Sequence, residues 1–416
     1  NDSNSLNKEF YRELLYILGL EETKEGSTRY IRRAEEKKRN SGSIIENTIR
    51  ILDAEDHLST LKNVRSTYGA NRDEQLFNVP MELGITWMNR ILFLKLLEAQ
   101  LYYYHRKDNR FKFLNYSAID SLDELNKLFF QVLARKEKDR SEDVNEKFGH
   151  IPYLNSSLFD VSPLEHQTTR ISGLDDHAEM PVYSKSVLTV ERGNTLNTLD
   201  YLFRFLEAYD FSAEGSEEIR EESKSLINAS VLGLIFEKIN GYKDGSFYTP
   251  GFITEYMARE TLRRAVTDKF EKVFIANTLS SSTGEEGLRE VENKGNETST
   301  QLTLKEIYNR IGRDISISEA NDLINSITIC DPAVGSGHFL VSCLNELLAI
   351  KSELGILCDL DGKVLRDVFV EVENDELIII RGDEGLFEYD VSHSWKGTRL
   401  ASRKVSSELQ RVQQAL

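Results

Sequence analysis

The residues best suited to chemistry lie in the stretch 327–340, whose sequence is ITICDPAVGSGHFL. The pattern predicts a short apolar strand, an acidic turn with two glycines, and then a helix. Open α/β sheets hold nucleotide-like ligands in a turn of this kind, at the carboxyl end of a strand. Because the acid comes before the glycines, the turn favours a neutral or cationic ligand with ribose and amino-acid parts over a pyrophosphate.

Residues of this turn have separate expected roles. Asp331 ends the predicted strand, so its carboxylate can meet a cation or an amine of a ligand. Gly335 and Gly337 remove side chains where the chain must bend and a ligand must approach. The turn lacks the third glycine of the dinucleotide fingerprint and the Lys-Ser/Thr of a phosphate-binding loop. A purely structural turn is the alternative interpretation.

A second motif, GSFYTP at 245–250, precedes the first. Thr249 is suited to cap a helix, and Pro250 fits the first helical position. The predicted helix runs to Arg263 and Arg264, whose cations would complement its carboxyl end. A helix start of this kind offers backbone amides and a hydroxyl to a carboxylate ligand. An ordinary capped helix is the alternative.

Composition limits the class of protein without identifying its partners. The 416 residues suggest two or three domains, and 40% of them are apolar, enough for sizeable cores. No apolar run reaches the ~18 residues of a membrane span, and the first residues lack a secretory signal. The three cysteines have no disulfide or zinc spacing, which predicts a reduced, cytoplasmic compartment. The net charge of −17 disfavours a protein whose whole surface binds nucleic acid.

Helical periodicity dominates residues 1–222, with irregular structure and short strands between 136 and 195, one of them at 183–190. Residues 87–104 are expected to form an apolar helix in the middle of this region. It ends in Tyr102, Tyr103 and Tyr104, which could stack on bases, although packing at a helix end is the simpler interpretation. The acidic stretch 214–222 marks the predicted domain boundary. Beyond it, 280–300 is a predicted loop and 368–380 a predicted β-hairpin.

At these motifs the chain resembles a known enzyme family. Residues 331–340 are similar to the first cofactor-binding motif of DNA N6-adenine methyltransferases, and residues 245–250 to the helix-start motif that precedes it. The order and spacing resemble the methylase region of type IIG restriction–modification enzymes and of related phage-defence methylases. Residues 89–98 and 151–155 are similar to parts of the helical region before that methylase, and the hairpin around Asn374 to an insertion after its first motif.

The resemblance implies an α-helical N-terminal domain, residues 1–222, followed by a partial α/β domain of the Rossmann-like class I methyltransferase fold, residues 223–416. It implies S-adenosylmethionine as the cofactor. Thr249 would contact the methionine carboxylate, Asp331 would lie near the amino group, and Phe339 would flank the cofactor. His338 is assigned proximity only. The full predicted cofactor-binding set is Tyr248, Thr249, Pro250, Asp331, Pro332, Ala333, Gly335, Ser336, Gly337, His338 and Phe339.

The chain departs from the family at the catalytic step. The Asn/Asp-Pro-Pro-Tyr/Phe tetrapeptide, which holds the flipped base, is absent, since none of the six prolines adjoins another. The acidic strand end that would bind the ribose hydroxyls is absent as well, and so is the target-recognition domain. No catalytic residue and no metal ligand is therefore assigned. Mg²⁺ is expected only if a nuclease domain lies outside this chain.

We therefore expect a fragment of a DNA adenine-N6 methyltransferase from a restriction–modification system, which carries the cofactor motifs and has no turnover. Double-stranded DNA would be bound mostly by parts outside the chain, and no membrane partner is expected. A truncated sheet could self-associate through its unpaired edge. The alternatives are a methyltransferase that acts on protein or RNA, and a non-catalytic scaffold that connects nuclease and methylase modules.

Overall fold

The computed structural model describes residues 7–25, 28–105, 107–154, 156–211, 224–227, 229–240, 249, 251–281, 302–334, 337–358, 362–373, 376–381 and 385–386. The chain divides into two compact units, Asn1–Phe247 and Tyr248–Leu416, which we call unit 1 and unit 2. The predicted boundary stretch, 214–222, lies outside the described residues.

Unit 1 is mainly helical. Its α-helices are α1 (Lys8–Leu18), α2 (Ile44–Ala54), α3 (Val64–Tyr68), α4 (Arg72–Tyr104), α5 (Leu122–Lys127), α6 (Glu142–Phe148), α7 (Pro163–Gln167), α8 (Thr198–Glu207) and α9 (Ala229–Asn240). A π-helix, Leu128–Leu133, continues α5. Short 3-10 helices are Glu36–Lys38, His57–Thr60, Asn109–Phe111, Glu137–Asp139, Ser157–Phe159, Ile171–Gly173 and Thr189–Glu191. The strands form two antiparallel pairs, β1 (Leu20–Glu25) with β2 (Thr28–Arg33) and β3 (Glu179–Pro181) with β4 (Thr195–Asn197).

The long helix α4 runs through the core of unit 1. Its side chains Trp87, Ile91 and Leu94 are buried, at a spacing of three and four residues that places them on one face. The helix begins well before the predicted stretch 87–104, because Asn71 caps it: the Asn71 side chain accepts a hydrogen bond from Glu74 N at 2.9 Å. The predicted apolar helix is therefore confirmed as the second half of a longer one.

The prediction of a strand at 183–190 is wrong. Polar groups of this segment bind the buried carboxylate of Glu13 on α1 instead of a strand partner. Val187 N donates to Glu13 Oε2 at 2.9 Å, and Ser186 Oγ donates to Glu13 Oε1. Tyr201 on α8 donates to the same oxygen at 2.7 Å. The short strand β3 forms just before this segment.

A buried ion pair joins α4 to α7 in the same unit. The Arg90 guanidinium donates to both carboxylate oxygens of Glu165, at 2.6 and 2.9 Å, and both side chains are almost completely buried. Trp87 Nε1 and the backbone N–H of Ser162 also donate to this carboxylate, at 2.8 and 2.9 Å. Two further guanidinium N–H groups donate to the carbonyl oxygens of Leu158 and Asp160. Both buried charges are thus paired and hydrogen-bonded on several sides, which offsets the cost of burying them.

Unit 2 contains helices α10 (Gly251–Ser281), α11 (Leu304–Arg310), α12 (Ile317–Asn325) and α13 (His338–Glu353). Three antiparallel strands follow in the order β5 (Val368–Glu373), β6 (Glu376–Arg381) and β7 (Gly385–Leu386). The β5–β6 pair lies where the sequence predicts a hairpin, with Val368 opposite Arg381 and Val370 opposite Ile379. The predicted loop 280–300 begins with the last residues of α10, and its remainder lies outside the described residues.

The expected strand before the glycine turn does not form a ladder with any other described residue. Residues 327–330 are without regular secondary structure, while Ile327 is buried and Ile329 packs against the apolar core of unit 2. The apolar character that suggested a strand is therefore explained by core packing. Among the described residues, the named strands pair only antiparallel. The Rossmann-like sheet thus stays a prediction.

Helix α10 continues beyond its predicted end. Arg263 and Arg264 lie near its middle instead of its last turn, so they do not complement the carboxyl end of the helix. Arg263 instead pairs with two carboxylates of α13, Glu346 at 2.6 Å and Glu353 at 2.9 Å. These pairs fix α10 against α13 along the core of unit 2.

Candidate functional site

The helices that follow the two predicted motifs, α10 and α13, meet in unit 2 through their first turns. Ser342 Oγ on α13 donates a hydrogen bond to Thr254 Oγ1 on α10 at 3.0 Å, and Thr254 Oγ1 in turn donates to Gly251 O at 2.8 Å. Both hydroxyl-bearing side chains are buried. The hydrogen bond therefore brings the helix start that follows Thr249 next to the helix start that follows the glycine turn.

The two helices run in the same direction. Near the start of both helices Thr254 of α10 contacts Ser342 of α13, and further along α10 Arg263 contacts Glu346 and Glu353 of α13. The contacts thus advance toward the carboxyl end of both helices together. Their N-terminal ends consequently lie at the same end of the pair. Each helix N-terminus carries about half a positive charge from its aligned peptide dipoles. Two such ends side by side favour a carboxylate or another anion at this position.

The acidic turn before α13 has a defined backbone shape. Asp331 Oδ1 accepts a hydrogen bond from Ala333 N at 2.9 Å, which fixes the start of the turn. Gly337 N donates to Val334 O at 2.7 Å, and Gly337 has φ 79° and ψ 6°, a left-handed conformation that favours glycine. A Cβ added at Gly337 would meet no atom within 4 Å, so the space over the turn is open. No side chain caps the start of α13.

The remaining predicted residues fall into three groups. Thr249, Pro332 and Ala333 are exposed, and Asp331 is half-buried. His338 and Phe339 are half-buried in the first turn of α13, where Phe339 also packs against the apolar core of unit 2. Asp331 and Gly337 thus lie in the turn before α13, and His338 and Phe339 lie in the first turn of α13. Tyr248, Pro250, Gly335 and Ser336 lie outside the described residues.

Sequence reasoning did not single out the exposed apolar side chains near these helix starts. Phe252 and Tyr256 on α10 are 73% and 66% exposed, and Val334 and Val341 around the start of α13 are 48% and 49% exposed. Phe252 and Tyr256 are four residues apart and lie on one face of α10. Their i, i+4 spacing was visible in the sequence, but only the structure shows that this face is uncovered by the described residues. Exposed aromatic side chains of this kind suit the face of a planar ligand ring.

A large cleft in the described part of unit 2 lies elsewhere. It has a volume of about 890 Å³ and runs between α10, α13 and β5, with Arg263, Glu346, Phe369 and Arg366 among its lining residues. No residue of 331–339 lines it. Burial raises the pKa of Glu346 above its usual range, although Arg263 and Arg259 oppose that shift. Because no described residue of either motif lines this cleft, the candidate site is the surface over the two helix starts.

The described residues contain no cluster of three or more His, Cys, Asp or Glu side chains that could hold a metal ion. None of the helices among them is long and apolar enough to cross a membrane. Cys330, next to Asp331, is exposed, and the other two cysteines are buried; all three are free thiols. The chemistry available at the site is therefore hydrogen bonding from helix starts, one carboxylate and apolar contact.

Comparison with known proteins gives two relationships. The model of a family described as "Domain of unknown function (DUF7814)" matches residues 3–227. A curated protein of Methanocaldococcus jannaschii, named "Putative type II restriction enzyme and methyltransferase", is 30% identical over 299 residues. That match covers 66% of this chain and 21% of the relative, so the chain spans about a fifth of the relative's length. No solved structure matches.

Proposed function

The chain belongs to the family of the domain of unknown function DUF7814, and we propose that it is part of a restriction–modification enzyme. In this proposal unit 2 binds S-adenosylmethionine, the methyl donor for the methylation of DNA adenine at N6. The observation that carries this proposal is the hydrogen bond between Thr254 and Ser342, which joins the starts of two parallel helices. Without it, the two motifs would be separate sequence patterns.

The residues at the site fit the parts of this cofactor. Its methionine end carries a carboxylate, which the paired N-terminal ends of α10 and α13 would attract. Its amino group is a cation that can donate a hydrogen bond to the half-buried carboxylate of Asp331. Gly337 leaves room for close approach of the ligand to the backbone. The exposed rings of Phe252 and Tyr256 offer apolar surface to a nucleoside.

When bound, S-adenosylmethionine would supply an activated methyl group. This chain's own residues bind and orient, and they contribute to the rate by positioning, not by general acid–base catalysis. We assign no catalytic residue, because the tetrapeptide that would hold the acceptor base is not in the sequence. The choice of adenine is what the resemblance of the two motifs implies, and the name of the relative supports the restriction–modification setting.

Calorimetry with S-adenosylmethionine on the natural full-length protein that contains this chain tests the proposal. We expect saturable binding, and we expect Asp331→Ala to weaken it by about tenfold or more, the loss typical of a hydrogen bond to a charged group. Asp322→Ala is the matched control, since Asp322 is an exposed carboxylate on α12 of the same unit. Absence of binding to the folded protein, or equal affinities for both variants, would instead favour a non-catalytic scaffold.

A methyl-transfer assay separates the possible acceptors. With labelled S-adenosylmethionine and the full-length protein, label should enter duplex DNA, and competing RNA or protein should not reduce that incorporation. The isolated chain of 416 residues should transfer none. Labelling of RNA or protein in preference to DNA would replace the proposed substrate, and turnover by the isolated chain would show that it contains a catalytic residue that we have not assigned.

A further inference from the structure

Unit 1 contains a lysine-rich pocket at the end of α4, separate from the site in unit 2. Its volume is about 110 Å³. Four lysines line it, together with three acidic and several aromatic side chains; the lysines are Lys95, Lys107, Lys112 and Lys224. In a chain with a net charge of −17, such a concentration of cations is unexpected. We call this the lysine pocket.

The lysine pocket has three carboxylates for its four lysines. Buried Lys95 is held by Glu98 at 2.5 Å and by Glu207 at 2.9 Å. Glu207 also lies 3.5 Å from Lys112 and 3.9 Å from Lys224. Asp210, the third carboxylate, and Lys224 each make a further interaction, so the positive charge left over lies with Lys107. The second carboxylate, Glu98, is already used, because it also accepts the backbone N–H of Leu114.

Lys107 adds a further positive charge with no carboxylate of its own. It is exposed, and its ammonium group has no ion pair or hydrogen bond among the described residues. Its backbone has φ 60°, and the other described non-glycine residues with positive φ are Asp56 and Asn63. Asp and Asn adopt this conformation far more readily than lysine. The hydrogen bond from Lys107 N to Tyr102 O, at 2.8 Å, holds the lysine there at the rim of the pocket.

Aromatic rings line the pocket beside these cations. Lys112 Nζ lies 4.7 Å from the centroid of the Tyr102 ring, which orients the ammonium group. Tyr103, Tyr209 and Phe211 complete the aromatic part of the wall. Ammonium groups next to aromatic rings are the combination with which proteins bind nucleic-acid backbones and bases. The volume admits a phosphate group but not a whole nucleotide, since ligand pockets for small molecules are ~300 Å³ or larger.

We propose that the lysine pocket binds a backbone phosphate of the DNA on which the enzyme acts. This assignment of the phosphate's source rests on the proposed function, whereas the anion-binding chemistry rests on the lysines alone. Repulsion by the acidic remainder of the chain is screened beyond about 8 Å at physiological salt, so a local contact is compatible with the net charge.

The test is DNA binding by fluorescence anisotropy across a range of salt concentrations, with the natural full-length protein and a labelled duplex. Lys107→Asn removes the charge while keeping a residue that tolerates positive φ. If Lys107 contacts one phosphate, the slope of log affinity against log salt should become shallower by about 1. Adding Lys112→Gln should make it shallower again. Lys62→Asn is the control, because Lys62 is an exposed lysine elsewhere in unit 1.

Each outcome decides the proposal. An unchanged slope in Lys107→Asn, a slope changed equally by Lys62→Asn, or no DNA binding by the unmodified protein would overturn it. Competition by inorganic phosphate as strong as by unlabelled duplex would show a small-anion site and not a DNA contact. Calorimetry with S-adenosylmethionine on the same variants keeps the two proposals apart, since neither lysine change should alter cofactor affinity.

Discussion

The two units each bury a glutamate beside an arginine, and the two pairs behave differently. In unit 1, burial raises the pKa of Glu165, but hydrogen bonds from Arg90, from the Ser162 amide and from Trp87 outweigh it, and the pKa lies below its usual range. In unit 2, burial raises the pKa of Glu346, and Arg263 does not offset it, so the pKa lies above its usual range. Similar residue types thus give opposite electrostatic results.

The difference lies in the number of donors around each carboxylate. Glu165 in unit 1 accepts hydrogen bonds from Arg90 and Trp87 on α4 and from the Ser162 amide before α7, which is how a rigid structural support is built. Glu346 in unit 2 has its hydrogen bond from Arg263, and its pKa stays raised. We infer that the Arg90–Glu165 pair supports the fold of unit 1 more strongly than the Arg263–Glu346 pair supports that of unit 2. The following substitutions test that contrast.

The largest effect is expected when the unit 1 pair is broken. Arg90→Ala leaves the buried Glu165 carboxylate without its main partner, which should destabilise unit 1 by about 3–5 kcal/mol. Urea denaturation monitored by tryptophan fluorescence measures this in a Trp395→Phe background, because Trp87 donates directly to Glu165. The chain has two tryptophans, so Trp87 then reports alone.

An exposed ion pair of unit 1 supplies the control for that experiment. Arg110 and Asp108 are 2.6 Å apart, with the arginine side chain 77% exposed. Arg110→Ala should change stability far less than Arg90→Ala does, as is usual for exposed pairs. Equal losses for Arg90→Ala and Arg110→Ala would mean that the buried pair has no special structural role.

A smaller effect is expected at the crossing of α10 and α13. Ser342→Leu places a larger side chain against Thr254 in a buried contact, which should cost about 1–3 kcal/mol through overpacking. Hydrogen exchange should show reduced protection at the start of α10, and cofactor affinity should fall with it. Ile275→Leu, at an exposed position near the other end of α10, should have neither consequence. Unchanged exchange in Ser342→Leu would show that the two helix starts are not coupled.

The smallest expected effect is a difference in pH dependence. Glu346 has a raised folded pKa, so its protonated form contributes stability that is complete below the unfolded pKa and is lost as pH rises through the folded pKa. Glu165 has a lowered folded pKa, so its contribution is present above the unfolded pKa and is lost as pH falls through the folded value. Glu346→Gln should therefore remove the loss of stability that occurs as pH rises. Glu165→Gln should remove the loss of stability that occurs as pH falls. Thermal melts between acidic and neutral pH measure both, and slopes of the same sign would refute the contrast.

Local signals in the sequence predicted several helices well. Gly19 ends α1 with φ 89°, and its N–H closes the last turn, which is the usual role of a glycine after a helix. Leu199, Leu202, Phe203 and Leu206 have the spacing of one helix face, and all four side chains are buried in α8. Such signals depend on residues within one or two turns of each other, which is why a single sequence contains them.

Contacts between distant segments could not be predicted in this way. The strand expected at 183–190 failed because Glu13, more than 170 positions away, takes its hydrogen bonds. Arg263 looked like a helix-end cation because the sequence does not show that α10 continues past it to pair with Glu346. At the candidate site, the sequence alone showed the two motifs and the glycines of the turn, among them Gly337. The hydroxyl pair that joins them, Thr254 and Ser342, was not, since both residues are ordinary helix positions in the sequence.

Hydrogen–deuterium exchange of the natural full-length protein, with and without S-adenosylmethionine, tests the central claim most directly. If the two helix starts form one cofactor site, the ligand should slow exchange in two separate peptides, one covering 249–258 and the other covering 331–342. Peptides from α4 to α7 should exchange at the same rate in both samples. Protection in only one of the two peptides, or protection confined to other parts of the protein, would contradict the account.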